Sequence, residues 1–458
     1  MNKLLFSLFA LVVCTPGVTQ TLIINNTNVV DVTKGTVIKG AFVVIENNRI
    51  VKVLRNKGNY QGQTIDGKNK YLIPGLWDMH THNWNSEQFF PLLIANGVTG
   101  IRDMFGDMNS IKKWREEIYS GKILGPVIFA SGPIVDGPKP VWPGSVALSS
   151  SEQVRGKIDS LKNKVNVDFI KVYSLLPRSV YFTIAEEAKK QNITFQGHIP
   201  DEVTILEAAK AGQKSQEHLI NFILESSDSL DRIREVSKLT ATSGVRNSTT
   251  KLQMMIRTFI EKRLATLTNE LAKYNTWICP TLTVNRSLGR LKDTTFTNDS
   301  RLHYVMPSLK TMWNPANDFR FKNLSDEYFE LNRKFFELQL KVVKQLQQSG
   351  VKLLAGTDFP NPYCFPGFSL HDELQLMVQA GLTPIQALQT ATINPALFFQ
   401  ITKDYGTVEE GKIANLVLLD KNPLENIANT KRINAVFVNG KYFDKAGLKQ
   451  MLQKLWHE

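Results

Sequence analysis

Apolar positions between residues 21 and 70 come in short β-branched runs, at 22–24, 29–32, 41–45 and 50–54, with Asn47-Asn48 and Asp66-Gly67 among them. Runs of this length bounded by turn residues predict strands, and the early ones read as an antiparallel β unit. The same texture returns near the other end. Gly411-Lys412 precedes a run at 414–419, and a second run at 433–438 leads into Asn439-Gly440, a strong hairpin dipeptide. Together the two stretches predict one small β-sandwich assembled from residues 20–73 and 405–444, followed by a helical tail over 445–458.

Between them, over residues 74–404, apolar strand-like runs alternate with helical patterns, as in βα units around a parallel sheet. Eight strand segments can be counted, at 76–79, 100–104, 127–130, 169–172, 193–195, 214–217, 277–280 and 352–355. Eight is the number a (β/α)8 barrel requires. The expected fold class is therefore α/β, a (β/α)8 TIM barrel carrying the terminal β-sandwich. Two connections, 221–274 and 284–350, are long and mostly helical, either elaborated barrel helices or caps over one end. Thr383-Pro384 with Gln386 marks a helix start: a capping hydroxyl, a proline at the first helical position and a capping-box partner.

Composition narrows the class. Of 458 residues 42% are hydrophobic and 21% charged, the balance of a globular protein rather than a disordered or multi-span membrane chain. A net charge of +13 invites a search for a nucleic-acid surface, but the basic residues are scattered and do not alternate with aromatics along one stretch, so no nucleic-acid partner is expected. Met1-Asn2-Lys3, an apolar run over 4–14 and the small or polar residues 15–19 read as an export signal over residues 1–19, giving a periplasmic or secreted protein. Val13 before Cys14 disfavours lipid anchoring there, since lipoprotein signals want a small residue at that place. No later run reaches the roughly 18 apolar residues of a membrane span. The mature chain would keep Cys279 and Cys364, too few for a disulfide framework.

The chemistry is carried by a few polar residues at strand ends. Seven histidines occur, and 80, 82, 198 and 218 stand at the ends of predicted strands. In Asp78-Met79-His80-Thr81-His82 a spacing of two puts both imidazoles on one face of an extended chain, half of a zinc site. Taken alone, each strand histidine is more often a hydrogen-bonded core group. Lys171 lies inside the apolar run 168–173, where an unpaired ammonium costs several kcal/mol unless it snorkels, loses its proton or is modified. A neutral lysine amine can take up carbon dioxide as a carbamate, an anionic ligand able to bridge two metals. Asp358 closes Gly356-Thr357-Asp358 after the eighth strand, where a plain turn aspartate would also fit. Their joint order decides, because strands one, four, five, six and eight each place such a group at the C-terminal end, where barrel active sites are built.

In these residues, and in Pro74-Gly75-Leu76-Trp77-Asp78-Met79-His80-Thr81-His82, Ala380-Gly381-Leu382-Thr383-Pro384 and Ala391-Thr392-Ile393-Asn394-Pro395-Ala396, the chain resembles the amidohydrolase superfamily. It is similar to the imidazolonepropionase-like and prolidase-like branch, and Lys171 favours the two-metal prolidase-like members. The resemblance implies two divalent ions, zinc by preference: one held by His80, His82 and Asp358, the other by His198 and His218, with carbamylated Lys171 between them. It implies hydrolysis of amide or peptide bonds, with Asp358 moving the proton from water to the leaving nitrogen. Xaa-Pro or other dipeptides and N-acyl amino acids are the expected substrates. Tyr173 and Arg286 are candidates to hold a substrate carbonyl or carboxylate. Phe359 stands where the family usually has a small residue and narrows the expected pocket. A lactonase or esterase on the same metals is the alternative enzyme, and a metal-free scaffold the alternative outside catalysis.

Overall fold

The computed structural model describes residues 21–56, 58–243 and 248–457, so the segment read as an export signal lies outside the described residues. The first five strands are β1 (Thr21–Asp31), β2 (Thr36–Glu46), β3 (Arg49–Leu54), β4 (Gln63–Asp66) and β5 (Tyr71–Pro74). β1, β2 and β3 pair antiparallel as expected, but β4 and β5 run parallel to β1. The reason is topological: after β3 the chain crosses to the far edge of β1, which a tight hairpin cannot do.

Ten short strands follow. β6 (Leu76–Thr81), β7 (Val98–Asp103) and β8 (Val127–Ala130) form a three-stranded parallel sheet. β9 (Ile134–Asp136), β10 (Val146–Ala147), β11 (Ile170–Val172), β12 (Phe195–Gly197), β13 (Ser215–Glu217), β14 (Trp277–Cys279) and β15 (Lys352–Leu353) form a second, in the order β10-β9-β11-β12-β13-β14-β15. Backbone hydrogen bonds join the two sheets at both edges: Asp168 N to Ala130 O at 2.9 Å on one side, Met79 N to Ala355 O at 2.8 Å and Asp358 N to His80 O at 2.7 Å on the other.

Two details depart from the sequence expectation. β8 and β9 are consecutive pieces of chain broken at Ser131-Gly132-Pro133, so β9 is not among the eight expected strands, and neither is the two-residue β10. Gly132 has φ +64°, and a Cβ there would lie 2.8 Å from Met108 Cγ. β12 starts at Phe195, two residues later than expected, because Asn192 sits in a left-handed turn at φ 51° and the strand continues into the polar pair Gln196-Gly197.

The connection after β13 is a set of helices, Ile220–Glu225, Leu230–Ser243, Ser248–Thr258 and Glu261–Leu271. The connection after β14 runs through Leu282–Leu288, Thr294–Thr297, a 3-10 turn at Ser300–Tyr304 and Pro307–Trp313 before the 23-residue helix Asp326–Gln348, capped by Ser325, whose hydroxyl accepts from Tyr328 N. Thr383 makes the expected capping box with Gln386, with Pro384 at the helix start. None of the helices in the described residues is long and apolar enough to cross a membrane.

β16 (Leu416–Leu419), β17 (Ile433–Val438) and β18 (Lys441–Asp444) then pair antiparallel, and β16 adds to β5. Both ends of the chain thus enter one eight-stranded sheet, whose buried face collects Leu22, Ile24, Val43, Ile45, Leu416 and Phe437 into a core of its own. A helix, Lys445–Gln453, closes the chain.

Candidate metal centre

The short parallel strands deliver their polar residues to one place. His80 lies near the end of β6 with His82 just beyond it, Lys171 is in β11, and His198 and His218 directly follow β12 and β13. Asp358 comes five residues after β15. All six line a single cavity of about 280 Å³.

Their anchoring follows a rule. Three of the four imidazoles use Nδ1 to bind the protein: His80 to Glu217 Oε2 at 2.9 Å, His198 to Ser174 Oγ at 2.9 Å and His218 to Thr281 Oγ1 at 2.6 Å. That leaves Nε2 as the nitrogen each can offer a ligand, as partners outside the coordination sphere do for metal-binding histidines. The chain after His82 is fixed instead by Asp103, whose carboxylate accepts from Asn83 N at 2.6 Å and from Phe105 N at 3.1 Å. Backbone geometry is strained here: His218, Thr281 and Asp358 all have positive φ, at 65°, 50° and 62°. Side chains with a Cβ seldom adopt that region, and such strain gathers at functional sites.

Electrostatics point the same way. Burial, reinforced by the Lys171 charge, holds His80 and His198 well below the ordinary imidazole pKa, and burial lowers His218 as well. Burial alone would raise Asp358, but the His80, His82 and His218 rings around it pull it below the usual carboxylate range. Burial brings the Lys171 ammonium down to about 8, opposed by the Glu217 and Asp358 charges. His82 Nε2 and His80 Nε2 come to 2.9 and 3.5 Å of Asp358 Oδ1, yet that oxygen accepts no well-aligned hydrogen bond, and His82 Nδ1 is buried without a partner too. The ligand atoms of His80, His82 and Asp358 lie within 4.8 Å of one another. Imidazoles converging with an ionised carboxylate whose oxygen is unsatisfied fit a divalent cation.

Beneath His80 lies a buried relay that the sequence did not single out. Glu217 receives both Nη2 contacts of Arg102, at 3.0 and 2.8 Å, and Arg102 also donates to Met79 O at 2.6 Å, Gln196 Oε1 at 2.6 Å and Ser215 Oγ at 2.7 Å. Both charged side chains are fully buried. The signal was there in principle, since Arg102 and Glu217 are charged residues inside strand segments, as Lys171 is.

Around these six residues the wall is aromatic: Trp84, Phe105, Trp142, Tyr173 and Trp313, with Leu309, Met312 and Arg320 from the connection after β14. That connection therefore roofs the cavity. Tyr173 stacks on His198 with centroids 4.0 Å apart, accepts from Trp142 Nε1 at 2.9 Å, and its phenol is pushed up to about 12 by burial. Arg286 is elsewhere. It borders a separate hollow with Arg290 and Arg301, its Nη2 3.5 Å from Asp372 Oδ2, because the helix Leu282–Leu288 turns it away from the ligands. The arginine on the cavity wall is Arg320, seated on Asp318 and donating to Asn361 Oδ1 at 2.7 Å.

Residues 71–442 match the family model described as "Amidohydrolase family". The chain belongs to that family. It is accordingly a hydrolase acting on carbon–nitrogen bonds. Among curated proteins it is similar to ochratoxinase from Aspergillus niger, 24% identical over 444 residues that span 82% of this chain and 76% of the relative. Among solved structures it resembles a bottromycin amidohydrolase, with a TM-score of 0.75 at 21% identity over 95% of this chain and 90% of that one. It also resembles an Xaa-Pro dipeptidase with bound methionine in its active site, with a TM-score of 0.64 at 18% identity over 93% and 100% of the two chains.

Proposed function

We propose that the protein is an exported, metal-dependent amidohydrolase that cleaves amide or peptide bonds in small substrates such as dipeptides, Xaa-Pro included, or N-acyl amino acids. The observation that carries this reading is that His80, His82, Lys171, His198, His218 and Asp358, which come from five strands, all face one aromatic-walled cavity. The frame is a closed (β/α)8 barrel over residues 74–404, supported by the hydrogen bonds at both sheet edges, beside a sandwich of residues 20–73 and 405–444.

His80, His82 and Asp358 would hold one divalent ion, zinc by preference, and His198 and His218 a second, with Lys171 between them as a carbamate formed from its amine and carbon dioxide with release of a proton. Such ions supply Lewis acidity to a scissile carbonyl and to the water that attacks it. The Asp358 carboxylate takes a proton from the attacking water and hands it to the leaving nitrogen, a transfer a single general acid–base group can perform in both directions. The Tyr173 hydroxyl, oriented by Trp142, is placed to donate to the carbonyl oxygen, and the aromatic wall excludes water from the reacting bond.

Elemental analysis of the purified protein should find close to two divalent ions per chain. A screen over dipeptides, N-acyl amino acids and lactones should show amide cleavage. Lys171→Ala should lose most activity and recover part of it with a small carboxylate such as propionate. Lactone turnover without amide turnover would replace this reading with the esterase one, and a metal-free inactive protein with the scaffold. An N-terminus near Gln20 on the protein from its host tests export.

A further inference from the structure

We propose that the hollow beyond Trp84 and Phe105 is an extended substrate subsite that receives an apolar arm ending in a carboxylate. The proposal rests on the amidohydrolase reading above and adds a substrate class to it: amides with a long apolar substituent that is anionic at its far end.

Continuity is the first argument. The hollow measures about 690 Å³ and shares His82, Trp84 and Phe105 with the ligand cavity, so a molecule reacting at the centre can extend into it without leaving the protein surface. Trp84 forms the ridge between the two spaces. It stands edge-on against Phe89 with centroids 5.1 Å apart, yet it is 49% exposed, a large aromatic surface that a bound arm would cover.

Composition is the second. Beyond the ridge the lining is largely apolar or small, with Met108, Pro133, Val165 and Gly144, and a Cβ at Gly144 would meet only Phe105 Cζ, 3.9 Å away. Charge is the third. Lys112 and Lys164 border this hollow, and neither has a carboxylate within ion-pair distance among the described residues. Asp107, the acid in the same lining, is engaged elsewhere: it caps the helix Met108–Tyr119, accepting from Ser110 N at 2.9 Å and Ser110 Oγ at 2.7 Å. An apolar trough that begins at a hydrolytic centre and is bordered by two unpaired ammonium groups suits an alkyl or aryl arm with a terminal carboxylate.

The test uses binding, so it does not depend on finding the substrate first. Octanedioic and octanoic acids are titrated calorimetrically into the full-length, metal-loaded protein; they share an apolar length and differ in one terminal carboxylate. Octanedioic acid should bind at least about tenfold more tightly, the scale of one charge-assisted contact. The double variant Lys112→Ala/Lys164→Ala, checked for parental metal content and melting temperature, should bind the two acids alike. Trp84→Ala should weaken both acids by a similar factor. Equal affinity of the parent for the two acids, or a diacid preference that survives in the double variant, overturns the subsite. Failure of the amidohydrolase reading would show separately, as absence of amide turnover in the screen.

Discussion

The terminal sheet and the strands under the candidate metal centre are both buried β structure, but they bury opposite kinds of side chain. In the sheet made from the two chain ends the inward face is Leu22, Ile24, Val43, Ile45, Ile50, Leu418 and Phe437, essentially all without exposure. In the short parallel strands Asp78, His80, Arg102, Lys171, Gln196 and Glu217 are just as inaccessible. Apolar burial stabilises by about 25 cal/mol per Å² and asks only for packing. A buried charge loses several kcal/mol of hydration and must be given partners. The first region is built for stability, the second tolerates its cost for chemistry, and substitutions should therefore read out differently in the two.

The largest effect is expected at Asp358. Asn keeps the shape and one ligand oxygen but cannot carry a proton, so Asp358→Asn should lower kcat by at least about 10², with metal content retained. Turnover within a few-fold of the parent in a metal-replete variant would assign the proton transfer to another group. Next comes the relay under His80. Glu217→Ala leaves Arg102 buried and unpaired, which should cost about 3–5 kcal/mol of stability, and frees His80 Nδ1, which should weaken metal binding about 10–100-fold. The double variant Arg102→Met/Glu217→Leu separates the two effects: it should regain much of the stability while metal affinity stays low. Recovery of both together would make the relay a packing element only.

That separation also explains what could be read from the chain beforehand. His80 and His82 were legible because strand periodicity puts residues two apart on one face, and Lys171 because a lone ammonium in an apolar run demands an explanation. Short β-branched runs and turn signals likewise exposed β1, β2, β3, β16 and β17 of the terminal sheet, but not β4, β5 or β18. The relay was missed because Arg102 and Glu217 satisfy each other, a pairing of strands far apart in sequence that no local pattern records. Arg286 falls outside the cavity, and Trp313 and Arg320 line it, for a related reason: where the connection after β14 folds back is set by tertiary packing. The break at Gly132-Pro133 hid β9 because a loop signal and a kinked strand look alike in sequence.

A substitution in the terminal sheet should show the reverse pattern to Glu217. Ile45 is fully buried in the core of that sheet, and Ile45→Ala should destabilise by about 2–5 kcal/mol through lost burial and a residual cavity. The folded fraction should keep its metal content and its kinetic constants. A change in metal affinity would mean that the two regions are energetically coupled, and the contrast between them would fail.

The smallest effect lies between the two regions, at His371. This imidazole is buried in the helix Phe368–Gln379, with Nδ1 3.0 Å from Thr430 Oγ1 and Nε2 3.0 Å from Asn96 O, so it ties that helix to neighbouring elements and takes no part in the ligand cavity. Burial, helped by the Lys431 charge, lowers its pKa to about 4, against the ordinary 6.5. Above pH 6.5 the ring is neutral in both folded and unfolded chains. As the pH falls below 6.5 the unfolded chain takes up a proton that the native protein refuses until about pH 4. Stability is thus fully present at pH 7 and is lost towards pH 4, and this one group should account for about 2 kcal/mol between pH 7 and pH 5. His371→Gln removes the titration while keeping a side chain that can reach polar neighbours. Urea midpoints of parent and variant, both metal-loaded, should therefore converge as the pH is lowered from 7 to 5. Parallel curves would show that His371 is protonated in the folded protein, and that burial here carries less electrostatic cost than it does around Lys171.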